Sequence, residues 1–484
     1  MNEPNAYNLV DERWIPVLTR SGENRAVSLA DIFADDDGDI ADLALNPYER
    51  IAVFRLLLCI AQAALGPERL ADETAWLAAR DSVGPAAARY LQKWHARFFL
   101  YGPHALLQPD DAFPVSADGL TSCDKLAFHC ASGNNSTLFD HAAGTRSRPD
   151  AALALALLAY QNFSSGGLSG KCVWSGVETD KSVKGAPCRE QSMLFSILLG
   201  GTLLETVWLN LLTVRSVRED LAAEWGVPAW ELPSLSRADS ADLARTFLGH
   251  LVPLSRAVKL ARGVPVCTLG GGVPYPQLPE WREPMAAVKP TRDERPSYVS
   301  ADPARLPWLD LSSILAVRQS ALRKSALALR HLDSLPEETA FSLWTGGLYA
   351  EKAKEIDVVE WKADLSVALL EESALRQYET ALALADRQRA HLYVAAQEYA
   401  TAMAVAETAR FAVPAERAYW DLLALSENQR TVMAVDSPAY LDDWKTAVRA
   451  AAEEAYRRAC PAATARQTEA FVQGFAKLRM KEEN

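Results

Sequence analysis

From about residue 360 onward the chain turns to Ala, Leu, Glu and Arg, and one stripe runs through it: Leu375, Tyr378, Leu382, Ala385, Leu392, Ala395, Tyr399 and Met403. Steps of three, four and seven residues place these side chains on one face of an α-helix. The pattern predicts a helix from Glu371 to about Ala409. A second helix is expected near Pro414. A third is expected at Ser437-Pro438, where Ser caps an N-terminus and Pro suits the first helical position. A fourth should follow the break at Cys460-Pro461. Helices of this kind cover their apolar stripes by packing on one another, so residues 361–484 read as an antiparallel four-helix bundle.

Residues 1–360 read differently. Two short apolar runs in Tyr7-Asn-Leu-Val-Asp-Glu-Arg-Trp-Ile-Pro-Val17 flank a polar turn and suggest β structure, and Val27 to Phe33 starts a capped helix. Apolar residues at three- and four-residue intervals make Pro47 to Leu65 and Glu68 to Phe99 helical. Residues 100–148 are loop-rich. Asp150 to Phe163 is a short Ala/Leu helix, and helix returns from about Glu190 to Val214. Residues 262–308, with Gly270-Gly-Gly-Val-Pro-Tyr-Pro276, exclude helix and contain β-like runs such as Met285 to Val288. The fold class that results is α+β and mostly helical: a large mixed N-terminal domain over residues 1–360, then the bundle.

A chain of 484 residues has room for two or three domains and a sizeable core. Its net charge of −12 argues against a sequence-independent nucleic-acid coater, which needs an excess of Lys and Arg to neutralise phosphates. A local basic patch remains compatible with it. The seven cysteines are odd in number and scattered, as expected for reduced thiols rather than a disulfide framework. The N-terminus lacks a basic and then apolar leader, and the most apolar stretch, Met193 to Leu212, is interrupted by Glu205 and Asn210. It reads as a buried helix, not a membrane span. These features point to a cytoplasmic protein.

Four constellations offer chemistry. Cys123, His129, Cys130, His141, Cys172 and Cys188 fall in one region and are zinc-type ligands, although their spacing matches no standard module. A structural zinc or a zinc-dependent enzyme is the rival this set allows; otherwise no cofactor is expected. No G-x-S-x-G, H-E-x-x-H or P-loop motif is present, so the chain reads as non-enzymatic. The segment Ala131 to His141 is a Ser/Gly/Asn loop with an apolar tip, suited to plugging into a partner. The glycine loop Ser164-Ser-Gly-Gly-Leu-Ser-Gly170, followed by Lys171, would let backbone approach a phosphate or base edge. Lys171, Lys181, Lys184 and Arg189 favour such contact, and Glu178 and Asp180 offset part of it. Finally, Gly346-Gly347 in Trp344 to Ile356 reads as a turn that presents Glu351 and Lys352 outward, or as an interdomain hinge.

Together the opening Tyr7 to Val17, the loop Ser132-Gly-Asn-Asn-Ser-Thr-Leu-Phe-Asp140, the glycine loop, the Gly346-Gly347 turn and the C-terminal bundle resemble the CasA (Cse1) family. These are the large subunits of type I-E CRISPR surveillance complexes, called Cascade. The order and spacing run through nearly the whole chain. The resemblance implies a subunit near the 5′ handle of the guide RNA that reads the protospacer-adjacent motif (PAM) in double-stranded target DNA, mostly from the minor groove. It implies that Asn135, Leu138, Phe139 and Asp140, with residues up to Arg148, dock onto neighbouring subunits and the handle. Ser165, Gly166, Gly167 and Lys171 would lie against the PAM, and Lys289 would reach into the groove. The minor groove offers a degenerate pattern, which suits a reader tolerant of several PAMs.

A wedge at the Gly-Gly turn would then part the first base pairs for R-loop formation. Familiar wedges carry a glutamine preceded by asparagine; here Lys352 and Glu351 hold those positions, with Ala353 following. Lysine only donates hydrogen bonds and adds attraction to phosphate, so the PAM preference should differ. The implied partners are the guide RNA handle, target DNA, the backbone, handle-capping and small subunits, and a nuclease-helicase recruited after the R-loop forms. No membrane is implied. The rival from another class is a scaffold whose loops bind only protein.

Overall fold

The computed structural model describes the chain apart from residues 1–6, 117–118, 132–139, 141–143, 318–322, 335–339, 353 and 479–484. Two compact units emerge: Met1–Leu335 with Phe341–Asp364, and Leu365–Asn484 with Pro336–Ala340.

The first unit is built on the helix Pro47–Leu65. Asn46 caps it by accepting from the Glu49 amide at 3.1 Å, Pro47 occupies its first turn, and Gly66 ends it at φ +73°. Nearly every side chain on it is buried, so it packs on all sides, against helices Val83–Trp94 and Asp150–Phe163 among others. A sheet of Asn24–Val27, Ile15–Thr19 and Ile40–Leu43 precedes it, and Ser28 closes a capping box on helix Leu29–Phe33. The core helix carries a buried charge. Arg55 Nη1 meets Glu283 Oε1 at 2.7 Å, while Nε and Nη2 donate to the Leu251 and His250 carbonyls at 3.0 and 2.7 Å. With three separate acceptors the guanidinium is largely compensated, as a buried charge must be.

Residues 190–214 are not the single helix that their apolar content suggests. Phe195–Leu199 is a strand with every residue buried, and only Leu203–Leu209 is helical. A short apolar run bounded by glycines fits a doubly covered strand as well as a helix; here Gly200-Gly201 breaks the chain and a long hairpin supplies the partner edge. That hairpin consists of Ala340–Glu351 and Lys354–Ser366, the first paired antiparallel to Phe195–Leu199 with Gly346 opposite Phe195. Gly346 and Gly347 are therefore in the interior of a strand, and neither the turn nor the hinge reading survives. A Cβ on Gly346 would lie 2.5 Å from the Trp344 ring and 2.9 Å from the Val359 carbonyl; one on Gly347 would lie 2.6 Å from the Met193 carbonyl. Gly346 makes room for buried Trp344, over which Arg50 of the core helix stacks at 4.8 Å, and Gly347 for the Met193 backbone. The chain turns five residues later, at Lys352.

The Pro/Gly-rich stretch is non-helical as expected. Val266–Gly271 lies between Arg256–Lys259 and Leu120–Ser122, and Val288–Pro290 pairs with Pro296–Tyr298 in a small hairpin with Lys289 opposite Ser297.

The second unit has, among the described residues, five α-helices: Glu372–Ala402, Ala409–Leu423, Ser426–Met433, Tyr440–Ala459 and Ala465–Leu478. The long one stops before Ala409, where Ala404 turns left-handed at φ +55°. Its stripe is in place: Leu375, Tyr378, Ala385, Leu392, Ala395 and Tyr399 are buried, and Leu382 and Met403 half-buried. Pro414 falls inside the second helix rather than near its start, and Ser426–Met433 is a helix that pattern reading passed over. Tyr419 Oη donates to the Ala385 carbonyl at 2.9 Å, Trp444 Nε1 to Ala381 at 2.7 Å, and Gln388 Nε2 to Leu478 at 3.0 Å. With Arg389–Glu416, Arg466–Met403 and the Tyr399 hydroxyl on the Pro461 carbonyl at 2.7 Å, these contacts make the four long helices alternate in direction.

Candidate nucleic-acid interface

The glycine loop follows directly on helix Asp150–Phe163. Gly167–Leu168 pairs with Ser182–Val183, so the loop forms one strand of a short two-stranded ribbon. Its glycines have different duties. A Cβ on Gly166 would lie 2.8 Å from the Gly185 nitrogen, and one on Gly170 2.5 Å from the Leu269 carbonyl, so both are required by close backbone packing. Gly167 sits at φ +111° with open space around it. Leu168 beside it is 78% exposed. Buried Arg256 holds the base of the ribbon, donating to the Ser165 and Lys184 carbonyls at 2.7 and 3.0 Å. Lys171 is paired with Glu178, and Asp180 with Arg237 at 3.1 Å, so much of the local charge is neutralised by internal partners.

Lys289 lies on the small hairpin with its ammonium 2.9 Å from Asp310, which also receives Arg305 at 2.8 Å. Burial alone would raise the Asp310 pKa, but bonds from Arg305 and Lys289 bring it below the ordinary carboxylate value. Lys289 is therefore a tethered, partly exposed cation.

Glu351 and Lys352 form the tip of the long hairpin. Lys352 is exposed, at φ +56°, and Glu351 accepts from Tyr349 Oη at 2.7 Å. Beneath the tip an open cleft of about 470 Å³ is lined by Arg189, Gln191, Ser192, Asp302, Tyr349 and Lys352, among others. Ala353 falls outside the described residues.

One segment touches the Lys352 tip, the Lys289 hairpin and the helix end just ahead of the glycine loop. Pro187–Ser192 contains a tight turn in which Gln191 and Ser192 both take positive φ, +53° and +50°. Arg189 Nη1 reaches Glu355 at 2.7 Å and the Phe163 carbonyl at 3.3 Å, and its Nη2 reaches the Lys352 carbonyl at 3.3 Å. Ser192 Oγ donates to the Ala350 carbonyl at 3.3 Å and accepts from the Ala350 amide at 3.0 Å. Gln191 Oε1 accepts from Ser297 Oγ at 2.8 Å and from the Tyr298 amide at 3.0 Å. Arg189 had counted only as one surface cation of several. Its side chain is in fact 7% exposed and spent on internal partners. Gln191 and Ser192 carried no sequence signal at all.

Of the expected docking loop, Asn135, Leu138, Phe139 and His141 lie outside the described residues. Asp140 is described, and its carboxylate accepts from the Ala131 amide at 2.9 Å and from Arg146. Arg146 and Arg148 both converge on fully buried Asp124, at 2.8 and 2.9 Å through their Nε atoms. Arg148 also donates to Cys130. Burial, with Arg148 and Arg146 adding to it, lowers the His129 pKa. All seven cysteines are buried and unpaired, and among the described residues no three His, Cys, Asp or Glu side chains converge on a metal position. Nor, among them, is any helix long and apolar enough to cross a membrane.

The sequence profile of the CRISPR-associated protein Cse1 family matches residues 8–458. A CRISPR-associated protein CasA/Cse1 from Thermus thermophilus is 31% identical over 508 aligned positions, covering 97% of this chain and 95% of that one. The solved Thermus thermophilus CasA (Cse1) superposes with a TM-score of 0.75 at 27% identity over 98% of each chain. A chain of a CRISPR RNA-guided surveillance complex matches with a TM-score of 0.73 at 18% identity, over 98% of this chain and 100% of that one. A family profile and a relative that both run almost end to end leave one assignment: the chain belongs to the CRISPR-associated Cse1 family.

Proposed function

We propose that this chain is the large, non-catalytic subunit of a type I-E Cascade complex, reading the PAM in duplex target DNA and helping to open it for R-loop formation. Family membership over the full length supports the assembly. The observation that carries PAM reading is the linkage of the Lys289 hairpin, the Lys352 tip and the helix end that leads into the glycine loop through Pro187–Ser192. Gly167 offers open backbone and Lys289 and Lys352 offer cations, while Ser165 is held by its carbonyl. A few placed cations suffice when other subunits carry the RNA, which reconciles the role with a net charge of −12.

In this reading residues up to about 360 dock on the guide-RNA handle through Asn135, Leu138, Phe139 and Asp140 and read DNA through Ser165, Gly166, Gly167, Lys171, Lys289, Glu351, Lys352 and Ala353. The helical unit acts as a four-helix bundle along the small subunits and the displaced strand. Once the R-loop is complete the chain recruits the nuclease-helicase, and the work is cytoplasmic. The test is binding of target duplex by guide RNA and the remaining subunits, with and without this chain, across a randomised PAM at fixed salt. Tight binding to a narrow PAM set only when the chain is added supports the proposal. Equal improvement for every PAM, with Lys289→Ala and Gly166→Asp leaving affinity and its salt slope unchanged, makes the chain a protein-binding scaffold instead.

A further inference from the structure

We propose that Arg189 and Gln191 are positioning residues that set the three candidate DNA-contacting elements in one register, so that PAM preference depends on side chains that need not touch DNA. The proposal rests on the reading above and adds to it how the site is assembled.

The geometry gives each residue a separate duty. Arg189 spends its guanidinium on the carbonyl that ends helix Asp150–Phe163, just ahead of the glycine loop, and on both flanks of the hairpin tip, at Lys352 and Glu355. Its planar fork bridges the two elements as no shorter or single-headed cation can. Gln191 grips the strand across from Lys289: Ser297, one of its two donors, is the register partner of Lys289. Ser192 extends the pairing of the hairpin past the end of the sheet by its two bonds to Ala350.

The backbone strain points the same way. Glu190 and Gln191, at φ −57°, ψ 122° and φ +53°, ψ 23°, form a turn whose second position favours glycine. A non-glycine residue there costs about 1 kcal/mol or more and persists where its side chain is needed. A turn that served only the local fold would be better built with glycine at 191. Glutamine instead supplies the amide that holds the Lys289 hairpin.

This makes Gln191→Gly the informative variant, since it relieves the turn and removes only the grip. Arg189→Ala and Arg189→Lys accompany it, each assembled with guide RNA and the other subunits. Amide hydrogen exchange on the free chain, which needs no DNA, reads the positioning. Faster exchange is expected at Tyr298 in Gln191→Gly and at the hairpin tip in Arg189→Ala, by roughly five- to tenfold for a lost hydrogen-bonded grip. In the assembled complex, preference for the best PAM over a scrambled one should fall by a similar roughly five- to tenfold factor, with Arg189→Lys recovering only part. The chain should remain folded and incorporated in Gln191→Gly. If wild type discriminates PAMs and Gln191→Gly discriminates equally, with or without faster exchange, the positioning role is overturned and the functional reading stands. If the wild-type assembly shows no PAM preference, the functional reading falls and takes this proposal with it.

Discussion

Replacing Glu283 by Ala should cost the first unit about 3–5 kcal/mol, because it strands a buried cation. Arg55 and Glu283 side chains are 1% and 2% exposed, with Nη1 and Oε1 2.7 Å apart. At an effective dielectric of about 20, unit charges about 4 Å apart attract by about 4 kcal/mol. Arginine does not deprotonate, so in Glu283→Ala the guanidinium keeps only the Leu251 and His250 carbonyls. Glu283→Gln retains the Oε1 acceptor and loses only the charge, so it should cost roughly half as much. In Arg55→Met/Glu283→Leu both charges leave, and the double variant should be less destabilised than the sum of the singles by roughly 2 kcal/mol or more.

Urea unfolding followed by tryptophan fluorescence is the assay, since of thirteen tryptophans only Trp420 and Trp444 lie beyond residue 364, leaving 13 − 2 = 11 in the first unit. The loss should be the same at low and high salt, because a buried pair is little screened. A loss below about 1 kcal/mol, or one that vanishes in roughly 1 M NaCl, refutes the account, since either marks an exposed and weakly coupled pair.

Other perturbations follow from the same geometry. Burial, with the Glu283 charge adding to it, pushes the Glu190 pKa up to about 7 against a hydrogen bond from the Leu278 amide that lowers it. A carboxyl raised in the folded state contributes stability below its unfolded value of about 4.5 and loses it as pH rises through about 7. The urea midpoint of Glu190→Gln should therefore gain on wild type between pH 5 and 8, and a constant difference would argue against the buried carboxyl. Gly346→Ala drives a methyl into the Trp344 ring and the Val359 carbonyl and should cost about 1–3 kcal/mol in the tryptophan-reported transition; a neutral substitution would mean the strands can part freely. Tyr419→Phe removes the bond to the Ala385 carbonyl and should cost the helical unit about 1 kcal/mol by far-UV circular dichroism. Lys352→Ala should slow R-loop formation more than it weakens duplex binding, and equal loss in both would argue against a wedge at the hairpin tip.

Where the physical signal was local, it could be read from residue order. Pro47–Leu65 carries its own Asn46 cap, Asp150–Phe163 a run of strong helix formers, and both appear at the expected limits. The stripe from Leu375 to Tyr399 announced its helix because a 3.6-residue period survives whatever the partner is. The run Met193–Leu212 misled because continuous apolarity has no period to distinguish helix from strand; the partner hairpin, 140 residues and more away, made the choice. Gly346-Gly347 misled for a related reason, since glycine marks close approach as well as a turn, and only the packed Trp344 tells which.

Residue order alone determined the mixed helix-and-strand character and, through motifs spread over the chain, the family. Tertiary structure decided the assembly of the candidate site. The glycine loop, Lys289 and Lys352 are separated by more than a hundred and by about sixty residues, and a strained turn bearing Arg189 and Gln191 bonds to the helix end before the loop, to the Lys289 hairpin and to the Lys352 tip. Hydrogen bonds across such separations leave no period and no spacing in the sequence. They exist only once burial has brought the partners together and left each guanidinium or amide a single set of acceptors and donors to satisfy.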